Sequence, residues 1–182
     1  MEKNVVYIAL FAALVAALGL TPRIYLGFGV PITVQTVGVM LCGSMLGAKR
    51  GALAMLLFLL VMSAGLPVVA GGLGGLGMFV SVTGGFLVGW PFAAFVTGLI
   101  VEKWRGPSLA VVATIASMVG GILVMYVFGV IGMSIVLEKT LLESTLLVLA
   151  FVPGDIVKAV VAGTLTAAIY KARPASVLSR AN

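Results

Sequence analysis

Between Gly51 and Val101 the chain carries no Asp, Glu, Lys, Arg or His. A soluble domain draws roughly a quarter of its residues from the charged types, which hold its surface in water. A bilayer core is ~30 Å thick and takes ~20 helical residues to cross, so this one stretch has room for two crossings. Spanning β-barrels alternate apolar and polar positions, whereas these runs are continuously apolar. The rest of the chain agrees, with 62% hydrophobic and 9% charged residues overall. The sequence predicts an all-α integral membrane protein.

Charges and Gly/Pro clusters divide the chain into six candidate spans, at 5–21, 31–47, 50–66, 82–101, 108–133 and 153–171. Residues 1–182 then form a single transmembrane substrate-binding domain. The joints around Lys49-Arg50 and Lys103-Trp104-Arg105 are short and basic. Those from Thr21 to Pro31 and from Pro67 to Ser81 are longer, rich in Gly and Pro, and nearly uncharged. The segment from Ser134 to Val152, with Glu138, Lys139 and Glu143, has the look of a short helix at the surface.

Lys and Arg concentrate in cytoplasmic loops. With the N-terminus inside, the inner side holds Lys3, Lys49, Arg50, Lys103, Arg105, Lys171, Arg173 and Arg180, and the outer side Arg23 and Lys139. This asymmetry predicts six transmembrane helices with both termini cytoplasmic in the cell membrane. The long uncharged connections then face outward, which places a ligand site there. A retained first span fits Val5 to Leu20 better than a cleaved signal peptide, because Ala17-Leu18-Gly19 is a poor cleavage site and the chain downstream is equally apolar.

Several function classes drop out. The chain has no His and one cysteine, Cys42, so it has almost no ligands for a zinc or iron–sulfur site; no metal or cofactor is expected. Its net charge of +6 is spread over the ends of apolar runs rather than gathered in a patch for nucleic acid. No G-x-x-x-x-G-K-[ST] loop is present, so ATP hydrolysis by that route is not expected. Residues 72–77 match G-x-G-x-x-G, but without the strand before it or the acidic residue after it that a dinucleotide site requires.

The sharpest motif is Pro153-Gly154-Asp155-Ile156-Val157-Lys158. Pro suits a first helical turn, and the i, i+3 spacing puts Asp155 and Lys158 on one face. Lys158 lies thirteen residues before Lys171, ~20 Å above the inner end at 1.5 Å per residue. Such a pair is either mutually neutralised or part of a site, and ionisable groups inside a membrane usually line a pathway or pocket. Gly74 and Gly75 belong to a run whose backbone can approach a ligand closely. Thr83-Gly84-Gly85 follows, its glycines equally suited to helix packing. Phe79, Phe86 and Trp90 together can wall an apolar pocket. Gln35 offers an amide either to a ligand or to a neighbouring helix. Ala9, Ala13 and Ala17 share a face of the first span and permit close helix approach, to another span or to another protein.

Four ordered segments carry a resemblance: Val30-Pro31-Ile32-Thr33-Val34-Gln35-Thr36, Gly65-Leu66-Pro67-Val68 with the glycines after it, Thr83-Gly84-Gly85-Phe86-Leu87-Val88-Gly89, and Pro153-Gly154-Asp155 with Lys158. Over nearly its whole length the chain resembles the BioY family, the biotin-capture S components of energy-coupling factor (ECF) transporters. It departs from that pattern at Val69, Val82 and Phe86. The resemblance implies no enzymatic activity, a six-helix fold and a biotin site open to the outside. It places Asp155, Lys158, Gln35, Gly74, Gly75, Phe79, Thr83, Gly85, Phe86 and Trp90 at that site. It also implies two kinds of partner, a transmembrane coupling (T) protein and ATPase subunits, with the alanine face of the first span docking on the coupling protein. A capture component for another vitamin, an intramembrane lipid-acting enzyme and a self-sufficient facilitator are the competing readings.

Overall fold

The computed structural model describes residues 2–21, 24–25 and 31–180; Arg23 and most of the first long connection lie outside these. Among the described residues, eight α-helical segments make up the bundle: α1 (Glu2–Leu18), α2 (Gln35–Leu46), α3 (Ala48–Ser63), α4 (Gly84–Lys103), α5 (Leu109–Met118), α6 (Met125–Val136), α7 (Leu141–Leu149) and α8 (Val152–Ala172). A six-residue π turn, Val119–Val124, joins α5 to α6 in one 28-residue rod, Leu109–Val136. Among the described residues, three helices are long and apolar enough to cross a membrane: Gly84–Lys103, Leu109–Val136 and Val152–Ala172. The protein is an integral membrane protein of all-helical type.

Each of the six expected segments contains a helix, and local chemistry explains where the bounds differ. The helix expected from residue 31 starts only at Gln35, because Pro31–Ile32 pairs with Ile24–Tyr25 in a two-residue antiparallel ladder. Pro lacks the N–H a helix interior needs, the β-branched Ile32 and Thr33 that follow favour extended backbone, and Val34 has turned to helical dihedrals at φ −78°, ψ −15°. The helix expected to run to residue 66 ends at Ser63, where Gly65 turns at φ 95° ahead of Pro67. The expected surface helix is α7, opened by a capping box in which the Thr140 hydroxyl accepts from the Glu143 amide and Glu143 accepts from the Thr140 amide.

Helix α4 is the hub, packing against α2, α3 and α6, while α5 lies along α8. The core is buried apolar side chains, among them Phe58, Met40, Leu46, Met55, Met62 and Leu87. With only 12 residues, α2 rises about 18 Å and does not fill the depth that α4 spans. The space beyond its first turn is where the cavity lies.

Candidate functional site

A cavity of about 250 Å³ opens among the first turns of α2, α4, α6 and α8 and the segment between α3 and α4. Its size is just under the ~300–1,000 Å³ usual for small-molecule sites. Val69, Leu73, Met78, Phe86 and Trp90 give it apolar walls, and Met125 and Phe151 close the far side. Thr33, Thr36, Ser81 and Thr83 place hydroxyl-bearing side chains around it.

One polar cluster stands out. Helix α8 begins at Val152 with Pro153 in its first turn, and Asp155 reaches the cavity where its amide makes an early helical bond, to the Phe151 carbonyl at 3.0 Å. Asp155 Oδ1 accepts from Lys158 Nζ at 2.7 Å, and Oδ2 accepts from the Tyr126 hydroxyl at 2.6 Å. The Asp155 and Lys158 side chains retain only 6% and 14% of their exposure. The cluster carries one negative and one positive charge, so it is neutral as a unit. That compensation is what makes an ion pair tolerable at this depth.

Tyr126 is the residue that sequence reasoning missed. It sits in a continuously apolar rod, 29 positions before its partner, and no local pattern singles it out. It reaches Asp155 because the π turn below it shifts the face that α6 presents. Gly120 and Gly121 let that turn pack closely on its neighbours: a Cβ on Gly120 would overlap Thr97 Oγ1, and one on Gly121 would lie 2.5 Å from the Met40 methyl. π turns of this kind often occur at functional sites. Phe86 meets Tyr126 edge-on, with ring centroids 6.2 Å apart and planes at 85°.

Of the residues singled out from the sequence, Asp155, Lys158, Gln35, Thr83, Phe86 and Trp90 line this cavity together. Gly74, Gly75, Phe79 and Gly85 stand beside it. A Cβ on Gly74 would overlap the Leu66 carbonyl, and one on Gly85 would overlap the Phe128 carbonyl, so both serve close packing. Gly75 turns at φ 88° ahead of the 3-10 segment Leu76–Val80, which carries Phe79 against the core. Gln35 is fully hydrogen-bonded to protein: Nε2 donates to the carbonyls of Val15 and Val68, and Oε1 accepts from the Ala70 amide. Trp90 stacks obliquely on Phe58 with centroids 5.3 Å apart, and its buried Nε1 has no hydrogen-bond partner among the described residues.

The alanines of α1 divide. Ala12 packs inward with Phe11 and Val15, whereas Ala9, Ala13 and Ala17 are exposed on the outer face. The basic residues also gather. An acceptor from Glu102 meets the Ala48 amide at 3.0 Å, and Arg180 Nη2 donates to the Trp104 carbonyl at 3.1 Å. These bonds bring Lys49, Arg50, Lys103 and Arg180 to the end of the bundle opposite the cavity.

An apolar helical bundle with a partly open, mostly apolar cavity and a neutral polar cluster at its side is a membrane-embedded solute-binding protein. The family model for BioY matches residues 2–175, and the chain belongs to the BioY family. It is 50% identical over 189 residues to the biotin transporter BioY of Rhodobacter capsulatus, with 99% of this chain and all of that one covered. It is 47% identical over 178 residues to the biotin transporter BioY of Rhizobium etli, covering 94% and 95%. A solved crystal structure, the S-component for biotin from an ECF-type ABC transporter, matches with a TM-score of 0.86 and 31% identity, covering 93% of this chain and 92% of that one.

Proposed function

We propose that this chain captures biotin in the cavity and hands it inward as the S component of an ECF-type transporter; it is a binding protein, not an enzyme. The observation that carries this reading is the Asp155–Lys158–Tyr126 cluster at the side of an apolar cavity. A carboxylate has about four lone-pair sites and an ammonium three donors. The internal bonds use two and one of these, which leaves acceptors and donors for a ligand. A ureido ring has matching needs, two N–H donors and a carbonyl acceptor, and its sulfur-containing partner ring suits the aromatic and thioether walls. Charge-assisted bonds are short and strong, and the burial of the Asp155 and Lys158 side chains strengthens them further.

The finer reading is that six spans cross the cell membrane with both termini cytoplasmic and the cavity facing out. It is supported by the basic residues at the end opposite the cavity, as expected for a cytoplasmic side. The sequence has no phosphate-binding loop, so accumulation against a gradient needs a coupling protein and ATPase subunits. The exposed Ala9, Ala13 and Ala17 give a smooth surface on which such a partner's helix can approach closely.

The test is calorimetry of the purified chain with biotin. Saturable one-to-one binding is expected; no heat with biotin, but binding of another vitamin, would reassign the ligand. Cysteine labelling at position 75 should proceed from outside and at position 105 only from inside, and the reverse pattern would overturn the orientation.

A further inference from the structure

Gln35 lies in the cavity wall, yet its amide is committed elsewhere. Its side chain is 1% exposed, and its three bonds, to Val15 at 3.0 Å, Val68 at 2.9 Å and Ala70 at 2.8 Å, use both amide hydrogens and the carbonyl. They join three pieces of chain: α1, α2 and the segment after α3. That segment is a small hairpin in which Val69 and Leu73 exchange both backbone hydrogen bonds, at 2.9 and 3.1 Å. Gly71 and Gly72 turn its tip at φ 77° and 72°, a conformation that only glycine adopts freely. Val69, Ala70 and Leu73 are all cavity wall. The far side of the hairpin is tied by the Gly75 amide to the Met62 carbonyl at 2.7 Å.

Gly19 completes the joint from the other side. A Cβ there would overlap the Val68 carbonyl and lie 2.7 Å from Gln35 Nε2. The end of α1 therefore reaches the cavity wall through Gly19 and Gln35, without a residue of its own in the wall.

We propose that Gln35 is a positioning residue for ligand retention: it hangs the 69–73 hairpin across the cavity and ties that wall to the end of α1. The inference rests on the biotin-capture reading. A hairpin held in place beforehand does not have to be ordered at each binding event, and preorganisation of this kind raises affinity by removing that cost. Because the hairpin covers the ligand rather than steering it in, its loosening acts on release, where most affinity differences between related complexes reside. A partner that shifts the end of α1 acts on the hairpin through the same three bonds.

The experiment uses two full-length variants that attack the joint from opposite sides. Gln35→Met keeps the side-chain length and removes all three hydrogen bonds. Gly19→Ala crowds the joint from α1 without substituting any cavity-lining residue. Biotin association and dissociation are followed by stopped flow, with melting temperature checked on the same preparations. Both variants should release biotin about tenfold faster or more, the scale of one or two lost hydrogen bonds, with association little changed. A Leu73→Cys reporter should be shielded from alkylation by biotin in the parent and lose that shielding in both variants. If the unmodified chain binds no biotin, the capture reading fails. If it binds, and the folded variants release biotin at the parent rate, the positioning role fails. Slowed association with unchanged release also overturns the proposal, since it marks a defect in the fold rather than in the covering hairpin. Should Gln35→Met not fold, Gly19→Ala decides alone.

Discussion

At the elbow between α2 and α3 a single methyl group has nowhere to go, whereas at the other end of the same helices there is room for a vitamin. A Cβ on Gly98 would overlap the Ala48 amide nitrogen and the Gly47 carbonyl carbon, and one on Gly47 would overlap Glu102 Oε1. One on Gly51 would lie 2.7 Å from the Cys42 carbonyl. The tail locks in as well, with Val177 fully buried and the Ser179 hydroxyl donating to the Ser44 carbonyl at 2.5 Å. Backbone meets backbone there, and glycine is what allows it. At the cavity end Gly19, Gly74 and Gly85 also admit close backbone contacts, but side chains make most of the walls. There Asp155, Lys158 and Tyr126 bond one another, and Trp90 Nε1 has no partner among the described residues. Substitutions at the two ends should therefore fail differently, the first in stability and the second in ligand affinity.

The sharpest test of that contrast is the ion pair. Removing one member leaves the other buried and unpaired, which typically costs ~3–5 kcal/mol, and ~1.4 kcal/mol is a factor of ten in binding. Asp155→Asn or Lys158→Ala should weaken biotin by about a hundredfold or more in calorimetry. Near-normal affinity with a lowered melting temperature would make the pair a structural element and erase the distinction between the ends. Tyr126→Phe comes next. A hydrogen bond to a charged group is worth ~1.5–3 kcal/mol, so affinity should fall by about tenfold or more while the fold persists. An unchanged affinity would remove Tyr126 from the site.

The dense end gives the converse. Gly98→Ala overpacks a backbone contact, typically at a cost of ~1–3 kcal/mol, and should lower the melting temperature while the folded fraction keeps its biotin affinity within about twofold. A large loss of affinity would mean that the two ends communicate more strongly than their packing suggests. The smallest effect lies outside both regions, at the start of α7. Hydrogen bonds from the Thr140 side chain and backbone hold the Glu143 carboxyl below its ordinary range. A carboxylate with a depressed pKa stabilises the fold above its unfolded pKa, and that contribution is lost as pH falls through the folded value. Amide exchange in the first turn of α7 should therefore be slow at neutral pH and quicken below the usual carboxylate range. Biotin affinity should not follow it.

The dense end and the cavity end also differ in how far the sequence reveals them. Runs of apolar residues between Lys49-Arg50, Lys103 and Lys171 mark the helices, because charge is excluded from the hydrocarbon. Asp155 and Lys158 are legible for the same reason, and their i, i+3 spacing already puts them on one face. Tyr126 is not legible, since its role depends on contact across 29 positions and on the π turn at Val119–Val124. Glycine misleads in both directions. Gly74 and Gly85, expected near the ligand, sit against the Leu66 and Phe128 carbonyls, while Gly19, read only as part of a poor cleavage site, completes the joint at Gln35. A glycine states that something comes close, but not what. The early end of α1 and the late start of α2 turn on ladder pairing and local hydrogen bonds that hydropathy does not encode.

The π turn has a consequence for anyone altering this protein. A helix advances about 100° per residue, so the extra residue in Val119–Val124 sets the rotational phase of everything above it in the rod. Straightening this stretch into regular α-helix at the same length would turn α6 by about one residue's angle, swing the Tyr126 hydroxyl away from Asp155 and bring a neighbour to face the cavity. Deleting one residue along with the straightening would instead keep the phase. The winding of this short stretch thus works like an indexing wheel. It exchanges the whole set of side chains that α6 offers to the ligand without any of them being substituted.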